Sequence, residues 1–190
     1  MAAVSISDLQ AAIKGRAGLA RTNRFRIVIP NPFASDGGKA LDILCESCSL
    51  PGRQINTVDY SPWRNEKKIP IGYTDEDVTC VFHLTNDYYV KDVFDRWLNK
   101  IVNPDSYLIE YSATYTSTID IYQLDEKHKD VYNVKLLEAW PVGVNSVELN
   151  NSDENNTQKV TVVFTYKTWT SENLGNFVGD INTNTQQFLA

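Results

Sequence analysis

One stretch of the chain has a clean helical alternation of apolar and polar residues. Between Tyr88 and Val102, apolar side chains recur at the three- and four-residue steps that place them on one helix face. Asn86 and Asp87 can accept hydrogen bonds from the first free N–H groups, and Pro104 follows the last turn. The spacing predicts an amphipathic helix with six core-facing residues. These are Val90, Val93, Phe94, Trp97, Leu98 and Ile101.

Most of the remaining chain alternates with the two-residue period of β-strands. We expect Pro141 and Gly143 to end the strand that begins at Asp130. A weaker helical stripe predicts a short helix over Ser5–Lys14. Residues 107–118 give mixed signals. The predicted strands are Asn23–Pro30, Ala40–Leu50, Arg53–Tyr60, Lys68–Tyr73, Asp77–Leu84, Thr118–Asp125, Asp130–Trp140 and Lys159–Trp169.

The short connections between these strands predict antiparallel pairing. The fold class is therefore mainly β, an antiparallel β-sandwich or barrel with one amphipathic helix over residues 88–102 and a short N-terminal helix. We expect a single domain over residues 1–170. The segment 171–190 is rich in Asn, Thr and Gln and is expected to be a C-terminal extension, partly disordered or docked on a partner.

Composition narrows the setting in which this fold works. The 190 residues are 42% hydrophobic and 22% charged, as in soluble globular proteins, and the net charge of −6 argues against a surface that grips nucleic acid. The sequence shows no secretory signal and no apolar run long enough for a membrane span. Three Cys without a signal argue against a disulfide framework and favour folding in a reducing cytoplasm.

No pattern in the sequence indicates catalysis. Cys45 and Cys48 are three residues apart on a predicted strand, where they should face opposite sides, and no second Cys pair completes a zinc site. His83 and His128 are isolated, and we expect Cys80 to be an ordinary small core residue like the other two Cys. We therefore expect no enzyme activity, no cofactor and no metal.

The strand Arg53–Tyr60 is polar on both faces, which is unsuitable for a core strand. One interpretation is that it pairs with strands of neighbouring copies in a ring around an aqueous channel. Another is that it is simply an exposed strand with long loops. A third is a sugar- or ligand-binding β-sandwich in which Tyr60 and Trp63 form an aromatic platform.

Several segments in order resemble the tail tube proteins of T-even-like contractile-tailed bacteriophages. The resemblance spans about Ala20 to Trp169, and its order matters more than any one motif. Its segments are ARTNRFRIVIP, SLPG at Ser49–Gly52, KIPIGY at Lys68–Tyr73, VTCVFHLTND, FDRWLNKI, VKLLEAWPVGV at Val134–Val144 and VTVVFTYKTW.

The resemblance implies a sandwich of two antiparallel sheets plus a helix. Six copies would form a ring whose sheets join into one β-barrel, and the rings would stack into a tube inside a sheath. The implied partners are other copies, the sheath protein, baseplate and tail-terminator proteins, and the tape-measure protein and passing double-stranded DNA in the lumen, without sequence-specific binding. The implied location is the virion tail, with assembly in the host cytoplasm.

Site residues follow from the resemblance and the sequence together. We expect the connection after Tyr60 to touch the next ring and a few carboxylates to line the lumen, because a channel that gripped phosphates would stall DNA. The contact residues are Tyr60, Trp63, Arg64, Glu66, Lys67 and Lys68. The lumen candidates are Asp42, Glu46, Asp59 and Glu110.

Two related functions stay open beside the tube subunit. A tube-initiator or baseplate protein could share the fold but occupy one ring only. The inner tube of a type VI-like contractile injection system would carry effectors rather than DNA. The charged helix face at Lys91, Asp92, Asp95, Arg96 and Lys100 is expected to look away from the lumen.

Overall fold

A computed structural model of the protein describes residues 5–15, 19–30, 38–60, 67–150, 152 and 156–171. The described residues form four helices and nine strands, and every strand pairing is antiparallel. The elements are α1 (Ile6–Gly15), β1 (Phe25–Val28), α2 (Lys39–Leu44), β2 (Cys45–Cys48), β3 (Arg53–Tyr60), β4 (Lys67–Asp75), β5 (Val78–His83), α3 (Tyr89–Ile101), α4 (Ser112–Tyr115), β6 (Ser117–Leu124), β7 (Asp130–Val144), β8 (Lys159–Thr165) and β9 (Thr168–Ser171).

Seven of the strands make one sheet in the order β1-β6-β7-β8-β5-β2, and β9 also pairs with β7. Its two end strands approach each other, because residues of β1, β6 and β2 line one shared cavity. Apolar residues alternate along β5 and β8, so both strands turn one face inward. The predicted antiparallel, mainly β class with few helices is confirmed.

Helix α3 covers this inner face. The helix predicted over residues 88–102 is confirmed to within one residue at each end. Val90, Val93, Phe94, Trp97 and Ile101 are buried, whereas Leu98 is half-buried. Phe94 lies between the rings of Phe82 and Phe164, with centroids 5.3 and 5.8 Å away, so the helix and the strands share one aromatic core.

Helix α1 forms almost where the sequence predicts it. Ser5 accepts a hydrogen bond from the Ser7 amide, and Asp8 accepts one from the Ser5 amide. The helix has no buried residue, and Ile6 and Leu9 are exposed. Its apolar stripe is therefore unsatisfied within the described part of the chain.

The predicted strand Ala40–Leu50 is wrong in its first half. Residues Lys39–Leu44 form helix α2, and only Cys45–Cys48 is strand. Gly38 has φ 92°, a left-handed conformation that suits glycine, and starts the helix. Leu41 is fully buried while Ile43 is 83% exposed, which is the one-sided burial of a short helix.

The seventh predicted strand does not end at Pro141. Strand β7 continues to Val144, because an irregularity in its pairing between Pro141 and Gly143 accommodates a residue without an N–H donor. Glu138 has φ 52° at the point where β7 changes from pairing with β6 and β9 to pairing with β8. Glu138 therefore marks the place where β7 changes its pairing partners.

The last predicted strand is broken in two. Strands β8 and β9 keep one register against β7, with Trp140 opposite Thr165 and Leu137 opposite Thr168, but Tyr166 and Lys167 interrupt them. The interruption lies opposite the left-handed Glu138.

Residues 107–118, which gave mixed signals, contain the short helix α4 and a bridge from Val102 to Ile109. The predicted C-terminal extension 171–190 lies outside the described residues except for Ser171, which ends β9 and pairs with Val134.

Candidate assembly surface

Strands β3 and β4 form a separate two-stranded sheet, which we call the arm (residues 53–60 and 67–75). All eight residues of β3 are exposed, and along β4 only Asp75 is partly covered. Several exposed side chains of the arm are large and apolar, with Ile71 at 67%, Tyr73 at 58% and Ile55 at 56%. A lone hairpin is marginally stable in water, so the arm is a surface in need of a partner.

Both faces of the arm mix polar and apolar residues. Ile55 pairs with Tyr73 on one face, and Val58 pairs with Ile69 on the other. Pro70 lies opposite Thr57 beside a bulge, and β4 has no strand on its other side among the described residues, as the proline predicts. Unpaired N–H and C=O groups along such edges are templates for strands of another copy.

An ion pair holds the two ends of the arm together at its root, where the arm meets the main sheet. Arg53 begins β3 and Asp75 ends β4, and two hydrogen bonds of 2.7 and 3.0 Å join the guanidinium to both carboxylate oxygens. The guanidinium also lies 4.3 Å from the ring centre of Tyr73 and 4.9 Å from that of Trp169 on β9. The Trp169 indole donates to Asp75 at 3.3 Å, so the arm root is tied to the main sheet.

This arrangement shifts ionisation at the root. The hydrogen bonds from Arg53 hold the pKa of Asp75 below its usual value, and those same bonds raise the pKa of Arg53. Burial and nearby carboxylates raise the pKa of Tyr166 to about 12, and its hydroxyl donates to the Glu76 carbonyl at 2.7 Å. The root is therefore charged and hydrogen-bonded at neutral pH.

A glycine completes the root on the incoming side. The Glu76 amide donates to the Gly52 carbonyl at 3.0 Å, which brings the two ends of the arm together. A Cβ atom on Gly52 would lie 2.6 Å from a carboxylate oxygen of Glu76, so a larger residue would displace that side chain. The SLPG segment at Ser49–Gly52 is thus the entrance to the arm.

Three of the predicted contact residues, Tyr60, Lys67 and Lys68, lie at the far end of the arm. Tyr60 lies directly opposite Lys67, and Asp59 lies opposite Lys68. Trp63, Arg64 and Glu66 lie outside the described residues. The pattern therefore places a basic and aromatic tip on a polar and apolar arm, while contact with another ring stays a prediction.

Three of the four lumen candidates lie on different elements, and Glu110 lies in the connection between α3 and α4. Asp42 on α2 accepts a hydrogen bond of 3.0 Å from the Ile29 amide, which serves the monomer's own fold. Glu46 on β2 bonds Lys159 at 2.6 Å, and that ammonium holds the Glu46 pKa below its usual value. Glu110 lies 3.9 Å from Lys100, and Asp59 is on the arm. Their position in a lumen stays a prediction.

A second apolar surface was missed in the sequence. It follows α3 and comprises Val102, Tyr107, Leu108, Ile109 and Tyr111, all exposed, with Tyr111 at 87%. Its signal was present as a cluster of bulky residues in a segment without clear periodicity. We call it the 102–111 patch.

The structure also corrects the prediction for the cysteines. An irregular register between Cys45 and Ser47 turns Cys45 and Cys48 toward the same neighbour, Cys80, rather than to opposite sides.

Within the described ranges, no group of three His, Cys, Asp or Glu side chains is placed to hold a metal ion. None of the helices described is both long and apolar enough to cross a membrane.

The match to a known family is broad. A family model described as phage tail tube protein matches residues 17–172, most of the chain. The chain belongs to the phage tail tube protein family. This tail tube protein matches no curated protein sequence.

Solved structures place the fold of this tail tube protein among contractile injection devices. It is similar to a chain in the PVC extracellular contractile injection system sheath-tube complex, at 16% identity and TM-score 0.61, covering 90% of this chain and 99% of that one. A chain in the anti-feeding prophage baseplate gives 19% identity and TM-score 0.60, covering 80% and 95%. At these identities the likeness concerns the fold.

Proposed function

We propose that this tail tube protein is the repeating subunit of an inner tail tube, a structural rather than a catalytic role. Six copies form a ring, rings stack into a tube, and the genome passes through it. The observation that carries the proposal is the arm, a two-stranded sheet with exposed Ile55, Ile71 and Tyr73 and no partner among the described residues. Neighbouring copies would supply that partner.

The arm has the chemistry of a contact between copies. Its apolar residues would bury area on pairing, and its free edge would gain backbone hydrogen bonds. The 102–111 patch offers a second apolar area on each copy. If one surface of each copy binds a different surface of the next copy, the contacts are head-to-tail. Such contacts form a closed ring when the rotation from one copy to the next divides a full turn evenly.

The partners follow from this role. The sheath protein surrounds the tube, baseplate and tail-terminator proteins cap it, and the tape-measure protein and then DNA occupy the lumen. The net charge of −6 suits a lumen that repels phosphate. Mapping the electrostatic potential onto a cryo-EM structure of the tube tests this point, and a strongly positive lumen contradicts it.

Imaging the purified protein tests the assembly itself. Wild-type protein should form rings and tubes in negative stain. Replacing Ile71 with Asp should abolish them while the monomer keeps its melting temperature, since Ile71 is 67% exposed. Gln54→Asp on the same arm is the control for charge alone, because it replaces an exposed polar residue rather than an apolar one. A wild type that stays monomeric at high concentration would contradict the proposal.

The second candidate is an initiator ring at the baseplate. The likeness to chains in the anti-feeding prophage baseplate and in its tube-terminating cap favours it. An initiator would form single rings that do not elongate alone, whereas a tube subunit polymerises. The same images therefore separate the two, and genome neighbours separate a phage tube from that of an injection system.

A further inference from the structure

Three thiols converge beneath the root of the arm. Cys45 and Cys48 lie on β2 and Cys80 lies on β5, where Cys48 and Cys80 are direct register partners. The Cys80 thiol donates to the Cys48 sulfur, and the two sulfur atoms are 3.2 Å apart. Cys45 is offset along the strand, opposite Phe82. Cys48 and Cys80 are therefore the matched pair, with Cys45 beside them.

The backbone pattern makes this pair geometrically suitable for a disulfide. The Ser49 amide donates to the Thr79 carbonyl at 2.9 Å, and the Thr79 amide donates to the Ser49 hydroxyl at 2.8 Å, so the hydrogen bonds of this ladder step fall at Ser49 and Thr79. The adjacent pair, Cys48 and Cys80, is then of the non-hydrogen-bonded kind, with Cα atoms about 4.5 Å apart. Disulfides span Cα separations of roughly 4.4–6.8 Å. The backbone spacing expected for this pair therefore falls within the range that a disulfide requires.

The pair encloses the whole arm. The chain leaves Cys48, runs through β3 and β4, and returns to Cys80, so residues 49–79 form the intervening loop. Strand β2 is also an end strand of the main sheet, held on one side by β5. A covalent bond between Cys48 and Cys80 would close the root of the arm and keep this end strand in place.

The two thiols differ in access. Cys80 is fully buried, and its pKa is raised well above its usual value by hydrogen bonding with Cys45 and Cys48 and by burial. Cys48 is half-buried and lines an open cavity of about 560 Å³ together with Phe25, Leu50 and Ile121. A small oxidant therefore reaches Cys48 first.

We propose that Cys48 and Cys80 are a modification site at which a peroxide forms a disulfide that closes the root of the arm. The Cys48 thiolate attacks one oxygen of hydrogen peroxide, the O–O bond breaks, and Cys48 becomes a sulfenic acid. The Cys80 sulfur then attacks the Cys48 sulfur as its proton leaves, and the S–O bond breaks. The two thiols lose two electrons and two protons, and the peroxide is reduced to two molecules of water.

The disulfide is a property of the subunit, and its benefit to a tube rests on the proposed function. A cytosolic environment keeps the thiols reduced while subunits fold and assemble. Oxidation outside a cell would then restrain the arm in each assembled subunit. The bond constrains the unfolded chain over a loop of this length, so oxidised protein should melt at a temperature higher by about 5 °C or more.

Peptide mapping of peroxide-treated protein tests the pairing. Full-length protein is treated with hydrogen peroxide, denatured, alkylated and digested without reduction. Wild type should keep one free thiol, at Cys45, and show a peptide link from Cys48 to Cys80 with a higher melting temperature. The matched control Cys45→Ser should form the same link and keep no free thiol, whereas Cys48→Ser should gain neither the link nor the temperature shift.

Other outcomes overturn the proposal. Three free thiols after treatment, a link that involves Cys45, or bonds between separate chains would each do so. Tube formation, scored by negative stain on reduced and oxidised samples, is a separate readout. Absence of tubes in both states counts against the proposed function while the Cys48–Cys80 link still stands or falls on the peptide map.

Discussion

At the scale of single residues, Asp75 joins the arm to the main sheet. Both of its oxygens accept from Arg53, one also accepts from Trp169, and only 13% of its side chain is exposed. Removing one partner of a partly buried pair leaves the other charge unsatisfied, which costs more than the net value of the pair. The root of the arm is thus sensitive to a change at this carboxylate.

We expect Asp75→Asn to lower the free energy of unfolding by about 1–2 kcal/mol at pH 7. Because the folded-state pKa of Asp75 is depressed, its contribution is present above the unfolded pKa of about 3.9 and is lost as the pH falls through the folded value. The difference between wild type and variant should therefore shrink below about pH 4. Urea unfolding followed by tryptophan fluorescence across pH measures it.

The exposed pair on α3 provides the control for that experiment. Asp92 contacts Arg96 at 2.7 Å, but their side chains are 51% and 63% exposed. Asp92→Asn should change stability by less than about 0.5 kcal/mol. A gap for Asp75→Asn that stays constant down to pH 3 would refute the assigned role of the ion pair.

Glu138 gives a backbone prediction at the same scale. Its φ of 52° is unfavourable for a residue with a Cβ atom, and most unfavourable for a β-branched one. Glu138→Gly should be neutral or slightly stabilising, whereas Glu138→Val should destabilise by about 1–2 kcal/mol. The bond to Lys167 is exposed and contributes little. Thermal unfolding measures the stability of both variants. Equal losses of stability for the two would show that backbone strain at residue 138 does not determine the effect.

At the scale of elements, α3 holds the strands together through Trp97. The indole is fully buried, stacks within 6.3 Å of the Phe94 ring, and donates to the Tyr115 carbonyl at 2.7 Å. The helix is thereby connected to α4 as well as to the sheet. Its opposite face carries exposed ion pairs and contributes less.

Trp97→Ala should reduce the free energy of unfolding by about 3–5 kcal/mol, because it leaves a cavity in the aromatic core. Trp97→Phe keeps most of the volume but leaves the Tyr115 carbonyl without its donor, at a cost of about 1–3 kcal/mol. Denaturant titration ranks the two. An unchanged midpoint for Trp97→Ala would mean that the helix does not close the core.

The individual elements also show which parts of the fold a local sequence pattern can predict. Helix α3 and strand β5 follow from periodicity, because one face of each packs on the core. Helix α2 was mistaken for strand, since six residues are too few for a helical period to stand out around Leu41. Strand β7 passes Pro141 because a bulge depends on the partner strand β8, which the local sequence does not specify. The same limit hid the convergence of the three cysteines.

At the scale of the whole molecule, the residues that form the core and the residues of the proposed assembly surface lie in different parts of the fold. The core residues lie in the seven-stranded sheet and α3, together with Ile29 after β1 and Leu41 on α2, whereas the arm buries almost nothing of its own. The polar β3 strand was recognisable in the sequence. The root at Asp75 and Trp169 was not, since those residues are 94 positions apart and meet only through the fold. Stability and assembly should therefore respond to different substitutions.

Replacing residues 61–66 with Asn-Gly tests that separation at the tip. Tyr60 and Lys67 are direct register partners, so a two-residue turn can close the hairpin without disturbing either strand. We expect the shortened protein to keep its melting temperature, because the core is elsewhere, and to form rings or monomers that do not elongate. A loop of six Gly and Ser residues is the control for length. If that control elongates, length alone is required at the tip; if it does not, the side chains make the contact between rings. Tubes of normal length from the Asn-Gly protein would instead place the contact between rings on another surface, and the 102–111 patch would be the next to change.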